Sequence, residues 1–203
     1  MADLPIDLGD GLTEQLARVL DVEAKIPRTL EALGPVGGRD VLLLDGADGI
    51  RAQQLKELGA RVVFAAADGP ARIVAPDASA DVLVSLWTTF REVSAAVMGE
   101  AARVLRPGGR LLVLHDYGRD DVSRLRGDLP EYGLLSRRDG PFLSGGFKVR
   151  VVHCFWTFES LEGAGAFLDA AFGDVGRGVA AEMKRPRLSY NVAVYHRTLG
   201  AAG

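Results

Sequence analysis

Cysteine is almost absent from this 203-residue chain, which contains a single one, Cys154. One thiol cannot form an internal disulfide, and it cannot build a zinc site from cysteines alone. Cys154 lies in an apolar stretch (VVHCFWTF), where a free thiol behaves as a small hydrophobic side chain. We therefore expect no disulfide framework, and the sequence indicates no metal site.

An excess of positive charge is also missing, because 24 Lys and Arg residues face 27 Asp and Glu residues, for a net charge of −3. This balance excludes the electrostatic footprint of a nucleic-acid-binding protein. The one basic cluster, residues 184–187 (KRPR), is short and is interpreted as a solvated loop. No apolar run has the length of a membrane span, and the first residues lack the pattern of a signal peptide. We expect a cytoplasmic protein that binds neither nucleic acid nor membrane.

The most informative stretch is a strand, a turn and a helix in succession. Residues 41–44 (VLLL) form a short apolar run that is typical of a strand buried on both faces. Residues 45–49 (DGADG) predict a tight turn, and residues 50–58 follow helical spacing. In such a unit the N–H groups of the turn and the helix N-terminus face a ligand. The sequence therefore predicts a nucleotide-binding α/β unit here.

The same alternation of apolar runs and helical patterns continues along the chain, and it predicts a doubly wound α/β fold. We expect a Rossmann-like, mostly parallel sheet of about six strands, with helices on both faces and an antiparallel last strand. Residues 1–38 are expected to form an N-terminal helical segment, and residues 39–203 the sheet core of the same single domain. The predicted strands lie at residues 41–44, 61–67, 81–86, 110–115, 148–155 and 190–196, and the main predicted helices at residues 91–105, 120–126 and 161–172.

These features resemble the class I methyltransferases that use S-adenosylmethionine (SAM). Residues 41–49 match the cofactor loop of that family, and residues 80–84 match its fourth strand. Residues 101–113 (AARVLRPGGRLLV) match its helix, turn and fifth strand, and they are the most specific part. The resemblance covers residues 36–117 well and the C-terminal strands by topology only. It implies that SAM lies across the carboxyl ends of the first strands.

The resemblance also assigns the cofactor-binding residues. It places SAM over the loop that follows the first strand, between two flanking side chains. For one of these two side chains, Trp87, the alternative is a place in the hydrophobic core. The predicted cofactor-binding residues are Asp45, Gly46, Ala47 and Gly49 in the loop, with Asp68 and Trp87 beside it.

Several positions depart from the family pattern. Asp45 and Ala47 replace loop glycines, which normally let the backbone approach the ligand closely. Leu43 replaces an acid, and Ala66 stands where the family places the acid that binds the ribose hydroxyls. Asp68 is either that acid two residues late or the acid that follows the family's third strand, and both alignments stay open. These departures predict weak SAM binding.

The link between the second and third predicted strands is short. The family has a helix and a further strand in this region, whereas residues 68–80 provide thirteen positions (DGPARIVAPDASA). A parallel crossover with a helix usually needs a dozen or more residues. An extended link of this length spans the required distance, so we expect one edge of the sheet to be reduced.

His115 and Tyr117 are the candidate catalytic residues, because they end the fourth predicted strand at the ligand side of the sheet. Such side chains act as a base or orient a substrate nucleophile. The alternative is that they cap the strand and bond the following loop. Methyl transfer needs mainly the alignment of nucleophile and methyl group, so the lack of an obvious catalytic pair does not exclude it.

Two functions remain after a third is discounted. A nicotinamide dehydrogenase needs G-x-G-x-x-G after the first strand, and residues 45–50 do not provide it. One remaining function is a methyltransferase-like protein with a weakened SAM pocket that acts on a small molecule. The other is a non-catalytic scaffold or regulatory partner of another protein. Both leave an oligomer open.

Overall fold

The computed structural model describes residues 4–44, 49–66, 72–87, 90–127 and 129–199. Within these ranges the chain forms six strands and eight helices. The strands are β1 (Asp40–Leu44), β2 (Arg61–Ala65), β3 (Ala80–Leu86), β4 (Leu105–Asp116), β5 (Lys148–Thr157) and β6 (Arg187–Thr198). The helices are α1 (Asp10–Val19), α2 (Lys25–Leu33), α3 (Ile50–Glu57), α4 (Ala95–Val104), α5 (Asp121–Leu125), α6 (Glu131–Leu134), α7 (Pro141–Ser144) and α8 (Leu161–Glu182).

The six strands form one mixed sheet in the order β2-β1-β3-β4-β6-β5. The first four strands in this order are parallel, and β6 runs antiparallel to both β4 and β5. The predicted Rossmann-like fold, with its antiparallel last strand, is therefore confirmed. Leu44 pairs with Ala65 on one side and with Ser85 on the other, so the parallel strands end together at one edge of the sheet.

Helices cover both faces of this sheet. One core cluster packs α1, α2, α3, α5 and α8 against one face, and a second packs α4 and α7 against the other. Leu43 belongs to the first cluster, whereas Leu42 and Leu44 belong to the second. Because both faces are buried, β1 consists of an unbroken apolar run rather than an alternating one.

The link between β2 and β3 contains no helix in its described part, residues 72–79, as its length predicts. The backbone N–H of Val74 donates to the carbonyl of Ala66 at 3.1 Å, which holds the link beside the end of β2. Val63 on β2 is 59% exposed. The reduced edge of the sheet therefore leaves apolar surface uncovered.

The strand β4 begins earlier than predicted, at Leu105. Ala80 pairs with Leu105 and Val82 with Arg110, so β4 advances five residues while β3 advances two. The predicted sharp turn at residues 106–109 is thus a bulge inside the strand. Gly108 takes a positive φ of 80° there, and its N–H donates to the carbonyl of Leu199.

The helix boundaries differ from prediction in three places. α4 begins at Ala95 rather than at residue 91, because the Ser94 hydroxyl accepts from the N–H of Val97 and caps the helix. α8 continues to Glu182 across a kink at Gly173, where φ is 56°. The segment between α5 and β5 contains the short helices α6 and α7, which are not among the predicted helices. Among the described helices, none is long and apolar enough to cross a lipid bilayer.

Candidate active site

The candidate site lies at the edge where the parallel strands end. Gly49 is buried and caps the N-terminus of α3, directly after the loop that follows β1. The other predicted loop residues, Asp45, Gly46 and Ala47, lie outside the described residues, as does Asp68. The described part of the site therefore consists of Gly49 and the residues at the ends of β2, β3, β4 and β6.

Ala66 lies at the position where the family resemblance expects an acid. It follows β2 directly, and since Leu44 pairs with Ala65, it lies one residue beyond the end of β1. Ala66 is exposed, and its backbone carbonyl accepts from the N–H of Val74. Its methyl group provides no hydrogen-bond acceptor for a ribose diol. This position therefore does not fit the usual ribose contact of SAM.

Trp87, the predicted flanking residue, is only 3% exposed and follows β3 with a positive φ of 46°. A positive φ is uncommon for a bulky residue and indicates that the surroundings hold it in place. The indole Nε1–H donates to the Tyr190 hydroxyl at 3.0 Å and to Asp116 Oδ1 at 3.1 Å. The backbone N–H of Trp87 donates to the carbonyl of Leu114. The polar end of this side chain is thus bound within the protein.

Asp116 is the centre of a hydrogen-bonded group that also contains Trp87, Tyr190 and Arg126, which we call the Asp116 network. The Tyr190 hydroxyl donates to Asp116 Oδ1. Arg126 pairs with Asp116 Oδ2 at 2.5 Å, and both side chains are 13% exposed. Burial raises the pKa of Tyr190, so its hydroxyl stays protonated and keeps its role as a donor. The network joins the ends of β3, β4 and β6 to α5.

A small cavity of about 20 Å³ lies beside the Asp116 network. That volume holds about one water molecule. An organic methyl acceptor therefore does not fit into it unless its walls move apart. The walls consist of Pro5, Trp87, Arg91, His115, Asp116, Arg126, Glu131 and Leu135.

His115, a candidate catalytic residue, is 2% exposed and borders the same cavity. Its Nε2 lies 2.9 Å from the backbone carbonyl of Phe90, and its ring centroid lies 5.6 Å from that of Phe142. Burial lowers the pKa of His115, while the Phe90 carbonyl opposes that shift. A hydrogen bond between these atoms makes Nε2 the protonated nitrogen of the neutral ring. The Nε2 atom of His115 is therefore not free to accept a proton.

Tyr117, the second candidate catalytic residue, follows the end of β4 and is partly buried. Its backbone N–H donates to the carbonyl of Asn191, and the Arg119 guanidinium lies 5.9 Å from its ring centroid. The structure thus brings His115 and Trp87 to one small cavity. Tyr117 is not part of that cavity's lining.

A buried ion pair that the sequence did not predict lies under α3. Arg51, the second residue of α3, is 1% exposed, and its NH1 lies 3.6 Å from Asp21 Oδ2. The Asp21 carboxylate also accepts from the backbone N–H groups of Lys25 and Ile26 at the start of α2. Asp21 lies four residues before α2, whose N-cap is Ala24, so the usual capping signal does not identify it. The pair ties the N-terminal segment to the helix that follows the predicted cofactor loop.

Part of the chain matches a known protein family. Residues 26–113 match the family model of a methyltransferase domain. Because the match includes the strands and the loop that carried the resemblance to class I SAM-dependent methyltransferases, that resemblance is confirmed. A comparison with curated protein sequences gives no match.

Solved structures with the same fold are also assigned as methyltransferases. One, from an antibiotic biosynthesis pathway of Anabaena variabilis ATCC 29413, has 13% identity and a TM-score of 0.56, with 90% of this chain and 99% of that chain covered. Another, a type II methyltransferase assignment from Anaeromyxobacter dehalogenans, has 18% identity and a TM-score of 0.52, with coverages of 87% and 96%. At these identities the likeness shows the fold, a Rossmann-like methyltransferase fold.

Proposed function

We propose that this chain is a SAM-dependent methyltransferase-like protein whose cofactor pocket binds SAM weakly. The methyltransferase-domain match and the fold support the general function. The proposed pocket lies over the loop at residues 45–49, between β1 and α3, where the N-terminus of the helix favours a carboxylate. SAM would supply the methyl group, and a small molecule would accept it. We also propose a cytoplasmic location.

The observation that carries the weak-binding proposal is Ala66 at the end of β2. A ribose diol that lacks a carboxylate partner loses charge-assisted hydrogen bonds of about 1.5–3 kcal/mol each. Each such loss lowers affinity by about ten- to a hundredfold. We therefore expect a dissociation constant for SAM of about tens of micromolar or weaker.

The surroundings of His115 support a mechanism in which its Nε2 is not the base. Its ring is buried, and Nε2 faces the Phe90 carbonyl rather than an open cleft. Any methyl transfer in this site would then depend on holding the acceptor in line with the methyl group. The predicted catalytic roles of His115 and Tyr117 remain predictions.

A second candidate function is that of a non-catalytic scaffold or regulatory partner. The closed Asp116 network favours it, because the cavity that the described residues form beside it, about 20 Å³, has no room for an acceptor. Under this function the protein would keep the fold and its weak pocket, and another protein would be its partner.

Restoring the missing carboxylate tests the weak-binding proposal. Ala66 is exposed, so Ala66→Asp should fold normally. We expect Ala66→Asp to bind SAM at least about tenfold more tightly than the natural chain in a calorimetric titration. Ala66→Asn has the same shape without the charge and is the matched control, for which we expect little gain. Equal SAM affinity of all three proteins would contradict the assigned role of this position.

A further inference from the structure

A large cleft lies between α5, the end of α8 and the start of β6. Its volume is about 770 Å³, and none of its lining residues belongs to the loop at residues 45–49. Four cations and two carboxylates line it, so its formal charge is 4 − 2 = +2 in a chain of net charge −3. The cations are Arg124, Lys184, Arg185 and Arg187, and the carboxylates are Asp121 and Glu182.

The positive charge of this cleft is not balanced within the described parts of the chain. Lys184 and Arg185 form no ion pair with a described residue. The Asp121 carboxylate accepts from the N–H and the hydroxyl of Ser189, at 2.9 and 2.6 Å, and also pairs with Arg124. Since Asp121 is already engaged, the two cations at the end of α8 remain available to a ligand.

The backbone of the basic segment is held by hydrogen bonds, while the side chains of Lys184, Arg185 and Arg187 are exposed, which agrees with its interpretation as a solvated loop. The N–H of Phe158 donates to the Pro186 carbonyl at 2.8 Å, and the N–H of Arg187 donates to the Arg185 carbonyl at 2.8 Å. The Arg187 guanidinium lies 4.4 Å from the centroid of the Phe155 ring. A backbone that is already held lowers the cost of ordering this segment when a ligand binds.

Apolar side chains complete the lining. Leu125 and Leu188 are 5% and 4% exposed, and Val179, Met183 and Phe155 also contact the cleft. Its volume lies within the range of about 300–1,000 Å³ typical of small-molecule sites. The cleft thus combines apolar walls with two cations, Lys184 and Arg185, that pair with no described carboxylate.

We propose that this cleft binds a small organic anion, a carboxylate or a phosphate ester with an apolar body. The anionic group would contact Lys184 and Arg185, and the apolar body would lie against Met183 and Leu188. A concave cleft with apolar walls favours such a molecule over a nucleic acid, which needs an extended basic surface. This site does not depend on SAM binding.

Methyl NMR provides a local test, because the chain has three methionines: Met183 in the cleft, Met98 on α4, and Met1. The protein would carry ¹³C at its methionine methyl groups, with signals assigned through Met183→Leu and Met98→Leu. The probes are octanoate, octyl phosphate and octan-1-ol, added without SAM. We expect at least one of the two anions to shift the Met183 signal and to bind about tenfold more tightly than octan-1-ol. The tighter anion identifies the head group.

Charge variants test the same cleft. Arg185→Gln should weaken binding of the preferred anion by about tenfold. Arg138→Gln removes one charge from an exposed residue outside the lining, and it should leave the affinity unchanged. In the NMR titrations, the proposal would be overturned by equal affinities for octan-1-ol and both anions, by an unshifted Met183 signal, or by an equal shift of the Met98 signal. An unchanged affinity of Arg185→Gln for the preferred anion would also overturn it. None of these measurements involves the SAM pocket, so a failure here is distinct from a failure of the proposed function.

Discussion

The indole Nε1 of Trp87 lies 3.0 Å from the hydroxyl oxygen of Tyr190, which is 103 positions further along the chain. Trp87 follows β3 and Tyr190 belongs to β6, so this hydrogen bond spans β4, which lies between those strands. The Tyr190 hydroxyl donates in turn to Asp116 at the end of β4. The edge of the sheet where a ligand is expected is therefore fixed by side chains from three strands.

Removing the Tyr190 hydroxyl tests how much this arrangement stabilises the protein. Tyr190 is 1% exposed, so Tyr190→Phe takes one donor away from the buried Asp116 carboxylate. We expect the free energy of unfolding to fall by about 1–3 kcal/mol, measured by urea denaturation.

Tyr117→Phe is the matched control, because the Tyr117 hydroxyl forms no hydrogen bond with a described residue. It should change the free energy of unfolding by less than about 0.5 kcal/mol. Equal effects of the two substitutions would contradict a stabilising role of the Asp116 network.

The ion pair between Arg51 and Asp21 gives a second prediction. Asp21→Asn retains the shape of the side chain but removes the charge that faces Arg51 in the core. Breaking a buried ion pair usually costs about 3–5 kcal/mol, so we expect the free energy of unfolding, measured by urea denaturation, to fall by that amount.

Asp40→Asn provides the comparison at the surface. Asp40 pairs with Arg61 and with Arg106, whose side chains are 62% and 39% exposed, and water screens both interactions. Asp40→Asn should therefore lower the free energy of unfolding much less than Asp21→Asn does. A larger effect at Asp40 would mean that the Arg51–Asp21 pair does not anchor the N-terminal segment.

The sheet could be predicted from the sequence because its strands are short apolar runs separated by turns and helices. Residues 41–44 and 81–86 are buried on both faces, so their composition alone indicates strands. The end of α8 could not be predicted in this way. Gly173 interrupts its pattern, yet the helix continues on the other side of the kink.

The contacts of the candidate site are harder to predict, because they join distant parts of the chain. Trp87 and His115 were identified from their positions at strand ends, and both lie at the edge of the sheet. Their hydrogen-bond partners, Tyr190 and Phe90, depend on packing that a single sequence does not reveal. Arg51 was missed for a related reason, since an arginine in a helix is usually exposed.

The single cysteine gives a third prediction. Cys154 is 1% exposed, and burial raises its pKa. Because the thiolate is the reactive form, we expect the folded protein to react very slowly with a thiol-specific disulfide reagent. The same protein in guanidinium chloride should react rapidly with one equivalent, which serves as the control. Rapid labelling of the folded protein would show that Cys154 is accessible.

His115 gives a prediction for pH dependence. Burial lowers its pKa below the usual 6.5, so the folded state resists protonation more than the unfolded state does. Its contribution to stability is therefore fully present above pH 6.5 and is lost as the pH falls below that value, by at most about 1.4 kcal/mol per pH unit.

The comparison is between the natural chain and His115→Gln, with urea denaturation at pH 7.5 and 5.5 chosen to lie roughly on either side of the histidine pKa. Burial also lowers the pKa of His196, but that residue is present in both proteins, so the difference isolates His115. We expect the natural chain to lose more stability on acidification than His115→Gln does. Equal losses would show that His115 does not remain neutral in the folded state.

The central claim is the proposal that this chain binds SAM weakly, since Ala66 offers no carboxylate to the ribose. The most direct measurement is an isothermal titration of the purified, natural chain with SAM, and with S-adenosylhomocysteine as the product form. Weak binding predicts dissociation constants of about tens of micromolar or weaker, or no measurable heat. Sub-micromolar SAM binding would contradict the claim and would show that other groups have replaced the missing ribose contact.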